Sequence, residues 1–95
     1  MRYEIILAPE AVQDLRRLRG HDRAAVRDTL EKHLRHEPAR TSRSRIKRLR
    51  GLSRPQFRLR VGDIRVFYDV LGNRVEVLAV VANSSAADWL RDSGK

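Results

Sequence analysis

The fold is decided by residues 57–70, which read Phe57-Arg58-Leu59-Arg60-Val61-Gly62-Asp63-Ile64-Arg65-Val66-Phe67-Tyr68-Asp69-Val70. Apolar side chains recur at every second position on both sides of Gly62-Asp63, which is typical of β-strands. A two-residue loop with glycine first favours a type II′ turn, so the stretch predicts a β-hairpin. The predicted cross-strand pairs are Val61 with Ile64, Leu59 with Val66, and Phe57 with Tyr68.

A second hairpin is predicted directly after the first, with Gly72-Asn73 as its turn. Residues 75–82 are apolar on both faces apart from Glu76, as in a central strand. The predicted pairs are Val70 with Val75, Tyr68 with Val77, and Val66 with Ala79. All these side chains are apolar or aromatic and share one face, and a one-residue slip would send each to the other face.

The N-terminal half predicts one strand and two helices. Residues 3–7 alternate as a short strand, and Pro9 is a favourable first residue for a helix that Gly20 would end. Asp22 is the predicted N-cap of a second helix, which Pro38 would stop. The apolar stripe Val26, Leu30 and Leu34 would face the sheet, and the two helices would form an antiparallel hairpin.

A short strand at 46–49 and a last helix capped by Ser84 or Ser85 complete the pattern. The sequence therefore predicts an α+β fold: an N-terminal strand, an antiparallel helical hairpin, a mostly antiparallel four-stranded sheet and a short C-terminal helix. Ninety-five residues are expected to form a single domain, 1–95.

The net charge of +9 is local to one stretch. Residues 40–65 contain ten basic residues and one acid, whereas the remaining 69 residues hold eleven of each. Such a field is typical of a surface that binds a polyanion, most often nucleic acid. Arginine predominates, and guanidinium matches phosphate better than ammonium does.

Composition also excludes several classes of protein. The chain has no cysteine, so disulfides and cysteine-based metal sites are excluded, and no metal or cofactor is expected. No apolar run approaches the ~20 residues of a membrane helix, and no signal peptide is recognisable. A soluble, cytoplasmic domain without membrane contact is expected.

The predicted register places Arg58, Arg60 and Arg65 on the sheet face that the helical hairpin does not cover. Phe67, Leu78 and Val80 would form an apolar floor on the same face. Arg60 and Arg65 would be direct cross-strand neighbours, and like charges in that position are destabilising. Retaining such a pair favours an anion bound between them, although a solvated face or pairing with acids such as Asp69 and Glu76 is an open alternative.

Two blocks resemble the RelE/ParE superfamily of toxins from type II toxin–antitoxin systems. The first is Ala8-Pro9-Glu10-Ala11 with Asp14-Leu15 and Leu18; the second is residues 46–52, Ile46-Lys47-Arg48-Leu49-Arg50-Gly51-Leu52, leading into 57–70. The resemblance covers nearly the whole chain and implies a RelE-like fold.

For members that cut RNA, the resemblance implies a ribosome-dependent mRNA endoribonuclease, or mRNA interferase. A basic sheet face binds mRNA on the ribosome, and the RNA 2′-hydroxyl attacks the adjacent phosphate without metal. Arg58 and Arg65 match catalytic positions and would stabilise the transition state. Nucleic-acid contacts are expected from Lys47, Arg48, Arg50 and Arg60.

The resemblance also implies a cognate antitoxin partner in a toxin–antitoxin hetero-oligomer. Phe67 and Leu78, as exposed apolar side chains ringed by polar groups, are the expected antitoxin contacts.

Residues 83–89, by contrast, lack the basic residue and the tyrosine that RelE-type nucleases carry after the last strand. Two alternatives therefore stay open. One is a ParE-like toxin that targets DNA gyrase without nuclease chemistry, and the other is a degenerate toxin retained for its antitoxin complex.

Ordinary structural roles are the simplest interpretation elsewhere. The loop arginines Arg40, Arg43 and Arg45 are expected to be solvated, with contact to RNA or the ribosome as an open alternative, and Tyr68 is expected to pack in the core. His21, His33 and His36 lie in or beside the second helix, behind the predicted site, and are expected to be solvent-exposed.

Overall fold

The computed structural model describes residues 1–95 and contains five strands and three helices. In chain order they are β1 (Glu4–Leu7), α1 (Pro9–Arg17), α2 (Gly20–Leu34), β2 (Ile46–Arg48), β3 (Phe57–Val61), β4 (Ile64–Leu71), β5 (Arg74–Ala82) and α3 (Asn83–Ser93). The strands form one sheet in the order β1-β5-β4-β3-β2. The predicted α+β class and order of elements are confirmed, and β1 adds a fifth strand by pairing parallel to β5.

The β3–β4 hairpin has the predicted register. Val61 lies opposite Ile64, Leu59 opposite Val66, and Phe57 opposite Tyr68. Gly62 has φ +57°, the left-handed region that glycine adopts without strain, so the tight turn depends on glycine at this position.

The β4–β5 hairpin follows the prediction only as far as a β-bulge. Val70 pairs with Val75 and Tyr68 with Val77, but the register then shifts by one residue, so the predicted pairing of Val66 with Ala79 is wrong. Val66 instead lies opposite Val80. Leu78 is the extra residue of the bulge and has no partner on β4. A strict period of two does not predict such an extra residue. Val80 consequently joins the main core rather than the opposite face.

The core lies between α1, α2 and one face of the sheet. Ala11 and Leu15 of α1, together with the predicted stripe of α2, pack against alternate side chains of β3, β4 and β5. Tyr68 is fully buried there and donates a hydrogen bond from its hydroxyl to the Pro38 carbonyl at 2.6 Å, which confirms its packing role.

The helix boundaries differ in detail from the sequence prediction. Gly20 is the first residue of α2, not the stop of α1, because extended backbone at Leu18 and Arg19 already turns the chain. Asp22 lies in the first turn, where an acid favours the helix dipole, and is not the N-cap. Ala82 rather than a serine precedes α3.

The side of the sheet opposite α1 and α2 is partly covered by α3. Phe67, on this side, is fully buried and stacks against Trp89 of α3. The prediction that this face is entirely uncovered is therefore wrong. None of the three helices combines the length and apolar character that a membrane crossing requires.

Candidate nucleic-acid interface

Four cations share the sheet surface that faces away from α1 and α2. Arg60 lies directly opposite Arg65, Arg58 opposite Phe67, and Lys47 of β2 opposite Arg58. Directly paired residues project to the same side of a sheet. We call the surface formed by Lys47, Arg58, Arg60 and Arg65 the arginine face.

Arg58, like Arg65, is partly enclosed, whereas Lys47 and Arg60 are exposed. The Nε atom of Arg58 is buried without a hydrogen-bond partner. Burial lowers the pKa of the Arg58 guanidinium, and the neighbouring charges of Arg65 and Arg60 lower it further. A buried donor without a partner costs free energy, and an incoming oxyanion would satisfy it.

Neither Arg65 nor Arg60 is bound to an acid, and only Arg65 binds backbone carbonyls. The Nη1 atom of Arg65 donates to the Gly62 carbonyl at 2.7 Å and to the Ile64 carbonyl at 3.1 Å. The exposed side chain of Arg60 makes no hydrogen bond, whereas its carbonyl accepts one from Nη1 of Arg45 at 2.9 Å. Neither arginine, nor Arg58 or Lys47, forms an ion pair within the chain, so the charge of the arginine face is not neutralised internally.

The acids on this side of the sheet bind Arg54 and do not contact the arginine face. Asp69 and Glu76, opposite each other on β4 and β5, both contact the guanidinium of Arg54, at 3.3 Å and 2.7 Å respectively. Asp69 also accepts a hydrogen bond from the backbone N–H of Gln56 at 2.8 Å. Their pairing with the three arginines, the open alternative from the sequence, is therefore not what the structure shows.

Two of the residues expected to contact nucleic acid lie apart from the arginine face. Arg48 is opposite Phe57, hence on the helix side of the sheet, with its guanidinium carbon 5.0 Å from the Phe57 ring centroid. That stacking gives Arg48 a packing role. Arg50 is exposed in the loop after β2.

Phe67 and Leu78, the expected antitoxin contacts, are covered by α3. Phe67 is fully buried, and Leu78 is 9% exposed beside Trp89. Their expected exposure is wrong because Trp89 stacks on Phe67. A role for them in antitoxin binding stays a prediction, and it would require α3 to move.

Comparison with known proteins identifies the family. Residues 5–86 match a family model described as the ParE toxin of the type II toxin–antitoxin system parDE. The chain belongs to this ParE toxin family. The predicted membership of the RelE/ParE superfamily is thus confirmed. A search of curated proteins gave no significant match.

Solved structures of related proteins share the fold of this toxin. The RelBE2 toxin–antitoxin complex of Mycobacterium tuberculosis aligns with a TM-score of 0.74 and 27% identity, over 86% of this chain and 99% of that chain. The RelB–RelE complex of Methanococcus jannaschii gives 0.69 and 24%, over 88% and 96%. A doubly substituted Escherichia coli RelE in the free state gives 0.70 and 22%, over 94% and 92%.

Sequence reasoning missed a second basic cluster of the toxin. Lys32 and His33 of α2 and His36 just after it line a cavity of about 460 Å³ together with Arg40 and Arg45. The sequence did contain a signal, because Lys32 and His36 lie four residues apart and so on one side of a helix. The position of the following loop could not be read from the pattern.

Proposed function

We propose that this toxin inhibits translation by binding mRNA on the ribosome through the arginine face and cleaving it there. The observation that carries the proposal is the convergence of Arg58, Arg60 and Arg65 on one surface without any acidic partner. Cations that repel one another in the free protein are stabilised when a phosphate enters between them. The half-buried Arg58 supplies a desolvated donor, because its Nε atom is buried without a hydrogen-bond partner.

The chemistry that such a surface supports is transesterification within the RNA. The 2′-oxygen forms a bond to the adjacent phosphorus while the bond from phosphorus to the 5′-oxygen breaks. The products are a 2′,3′-cyclic phosphate and a 5′-hydroxyl, and the proton lost by the 2′-hydroxyl is balanced by one gained at the leaving oxygen. The pentavalent phosphorane carries extra negative charge, which fixed guanidinium groups stabilise more than they stabilise the starting diester.

Charge stabilisation is the role that this proposal gives to the arginines. Guanidinium groups stay protonated at neutral pH and are poor general bases. Asp69 and Glu76 are held by Arg54, and the histidines lie on or just after α2. We therefore expect the toxin to bind RNA through the arginines but to cleave it slowly.

A cognate antitoxin is the proposed protein partner, in a hetero-oligomer. Two of the structural relatives are toxin–antitoxin complexes, which supports a partner of this kind. An acidic segment would complement the unpaired arginines and compete with RNA for them.

A cell-free translation assay with purified toxin tests the proposal, with protein yield and the 5′ ends of the mRNA both measured. We expect inhibition accompanied by new mRNA ends. Arg58→Ala or Arg65→Ala should slow cleavage by about 10²-fold or more, the typical effect of removing one transition-state donor. Arg74→Ala, which removes an exposed arginine at the other end of the sheet, is the matched control and should retain activity. Unchanged protein synthesis at saturating toxin would contradict the proposal.

Inhibition of DNA gyrase is the second candidate, favoured by the match to the ParE family model and by the lack of a free general base among the groups described above. It predicts that the toxin blocks gyrase supercoiling and leaves mRNA ends unchanged. Running both assays on one preparation separates the two candidates. A preparation inactive in both would indicate a toxin retained for its antitoxin complex.

A further inference from the structure

The cavity at the end of α2 is lined by groups from two separate segments. Lys32, His33 and His36 come from the last turn of α2 and the residue after its C-cap, and Arg40 and Arg45 come from the loop that leads to β2. Glu37 is the single acid in the lining. Apart from part of Ile46, the walls are polar or charged.

Stabilisation of the helix end explains only part of this cluster. Cations near a helix C-terminus interact favourably with the helix dipole, which accounts for Lys32 and the histidines. Arg40 and Arg45 are outside the helix and face the same space. The Ser42 hydroxyl accepts hydrogen bonds from the amides of Arg45 (3.0 Å) and Ile46 (3.2 Å), and thereby holds the loop in this position.

The charges around the cavity do not cancel. Lys32, Arg40 and Arg45 are basic, whereas Glu37 is the one acid and is bound to Arg40 at 2.8 Å. The field reaches His33, whose pKa is lowered by burial first and then by the charges of Arg45 and Lys32. An anion would relieve this repulsion, and a cavity of about 460 Å³ has ample room for a phosphate group with its neighbouring sugar.

Arg45 connects the cavity to the arginine face. Its Nη1 atom donates to the Arg60 carbonyl at 2.9 Å, and the Arg60 amide donates to the Arg45 carbonyl at 2.8 Å. The residue that lines the cavity is therefore bonded directly to a residue of the arginine face. The cavity and the arginine face are thus joined by hydrogen bonds between Arg45 and the backbone of Arg60.

We propose that this cavity is a second phosphate-binding site, which holds a backbone phosphate of the strand bound on the arginine face. The identity of that strand as RNA rests on the proposed function, whereas the affinity of the cavity for a phosphate oxyanion does not. The cavity would anchor the strand without taking part in its cleavage.

Titration with inorganic pyrophosphate, followed by the imidazole NMR signals of His33 and His36, tests the cavity by itself. Lys32→Gln should weaken binding by about three- to tenfold, the loss of one charge-assisted contact, and Glu37→Gln should strengthen it. The matched controls are Arg16→Gln and Glu10→Gln, which make the same charge changes at exposed positions of α1 outside the cavity. We expect the controls to change the affinity less than ~2-fold, because exposed charges that do not line the cavity interact with the bound anion through solvent and are weakened by salt.

Binding of a labelled oligouridylate at several salt concentrations then tests the link to the strand. Loss of one phosphate contact should lower the salt slope by about 0.7 in Lys32→Gln and leave it unchanged in Arg16→Gln. Equal effects of Lys32→Gln and Arg16→Gln in either experiment, or no saturable shift of the two histidines, would overturn the proposal. Saturable pyrophosphate binding in a toxin that fails to inhibit translation would instead count against the proposed function alone.

Discussion

Trp89 of α3 stacks on Phe67 of β4, with ring centroids 4.8 Å apart and an interplanar angle of 5°. Phe67 is fully buried by this contact, whereas no residue of α3 is itself fully buried. This aromatic pair is therefore one of the contacts that attach α3 to the sheet. Aromatic pairs contribute about 0.5–1.5 kcal/mol beyond the apolar area that they bury.

Trp89→Ala is expected to lower the free energy of unfolding by about 2–3 kcal/mol, less than for a fully buried tryptophan because Trp89 is partly exposed. Trp89→Phe keeps a ring over Phe67 and should cost less than half as much. Urea unfolding followed by circular dichroism measures both. Equal losses in the two variants would show that the stacking itself contributes nothing.

The opposed pair Arg60 and Arg65 predicts a conflict between stability and binding. Arg60→Gln removes a like-charge neighbour and should raise the free energy of unfolding by about 0.2–1 kcal/mol, while RNA affinity falls. Arg74→Gln makes the same charge change away from the arginine face and should leave both nearly unchanged. Thermal unfolding and oligouridylate binding are the two measurements. A less stable Arg60→Gln protein would show that the pair is not strained.

The hairpin of residues 57–70 could be predicted in full because its turn chemistry and its period-two pattern agree. The predicted register of β5 is wrong beyond Leu78, because a run that is apolar on both faces does not show which residue will form a bulge. The hairpin of residues 57–70 also explains why the common face of Arg58, Arg60 and Arg65 could be predicted, because all three lie within it. Arg48 is predicted to contact nucleic acid, but it pairs with Phe57 and therefore projects to the helix side of the sheet. The pairing of the three-residue strand β2 could not be predicted, because the loop before it gives no register signal.

Tyr68 lies in the core, behind the arginine face, and we expect it to stabilise the fold without contacting RNA. Tyr68→Phe removes the hydrogen bond to the Pro38 carbonyl and should lower the free energy of unfolding by about 1–3 kcal/mol, because it leaves a buried acceptor without a partner. RNA binding should be unchanged at a temperature where the variant is folded. Tyr3→Phe, at a position that is only partly buried, is the control. Loss of RNA binding in a folded Tyr68→Phe protein would contradict a purely structural role.

Arg54 holds two carboxylates, one of which is buried. Arg54→Ala leaves Asp69, which is 4% exposed, with its Gln56 contact alone, and we expect a loss of about 1–3 kcal/mol in the free energy of unfolding. Arg91→Ala, which breaks exposed pairs with Asp88 and Asp92, should cost less than ~1 kcal/mol. Chemical denaturation compares the two. Similar losses would mean that the Arg54 cluster is no more than a surface ion pair.

His33 should make the toxin less stable in mild acid. Its pKa in the folded protein is lowered from the ordinary value of 6.5 by burial, then by Arg45 and Lys32. Other charged or titratable groups around the same cavity are His36, Glu37 and Arg40. Because the unfolded chain binds the His33 proton at a higher pH than the folded chain, this contribution to stability is complete well above pH 6.5 and is lost as the pH falls through and below that value.

His33→Gln should therefore flatten the fall in stability between neutral pH and about pH 5, a window chosen to lie above the ordinary range of carboxylates. Urea midpoints measured across that window compare the variant with the wild-type protein, and His21→Gln controls for the loss of an exposed histidine from α2. Added pyrophosphate should reduce the acid sensitivity of the wild-type protein, because an anion in the cavity stabilises protonated His33. An identical pH dependence in His33→Gln and wild type would show that His33 is not the group responsible.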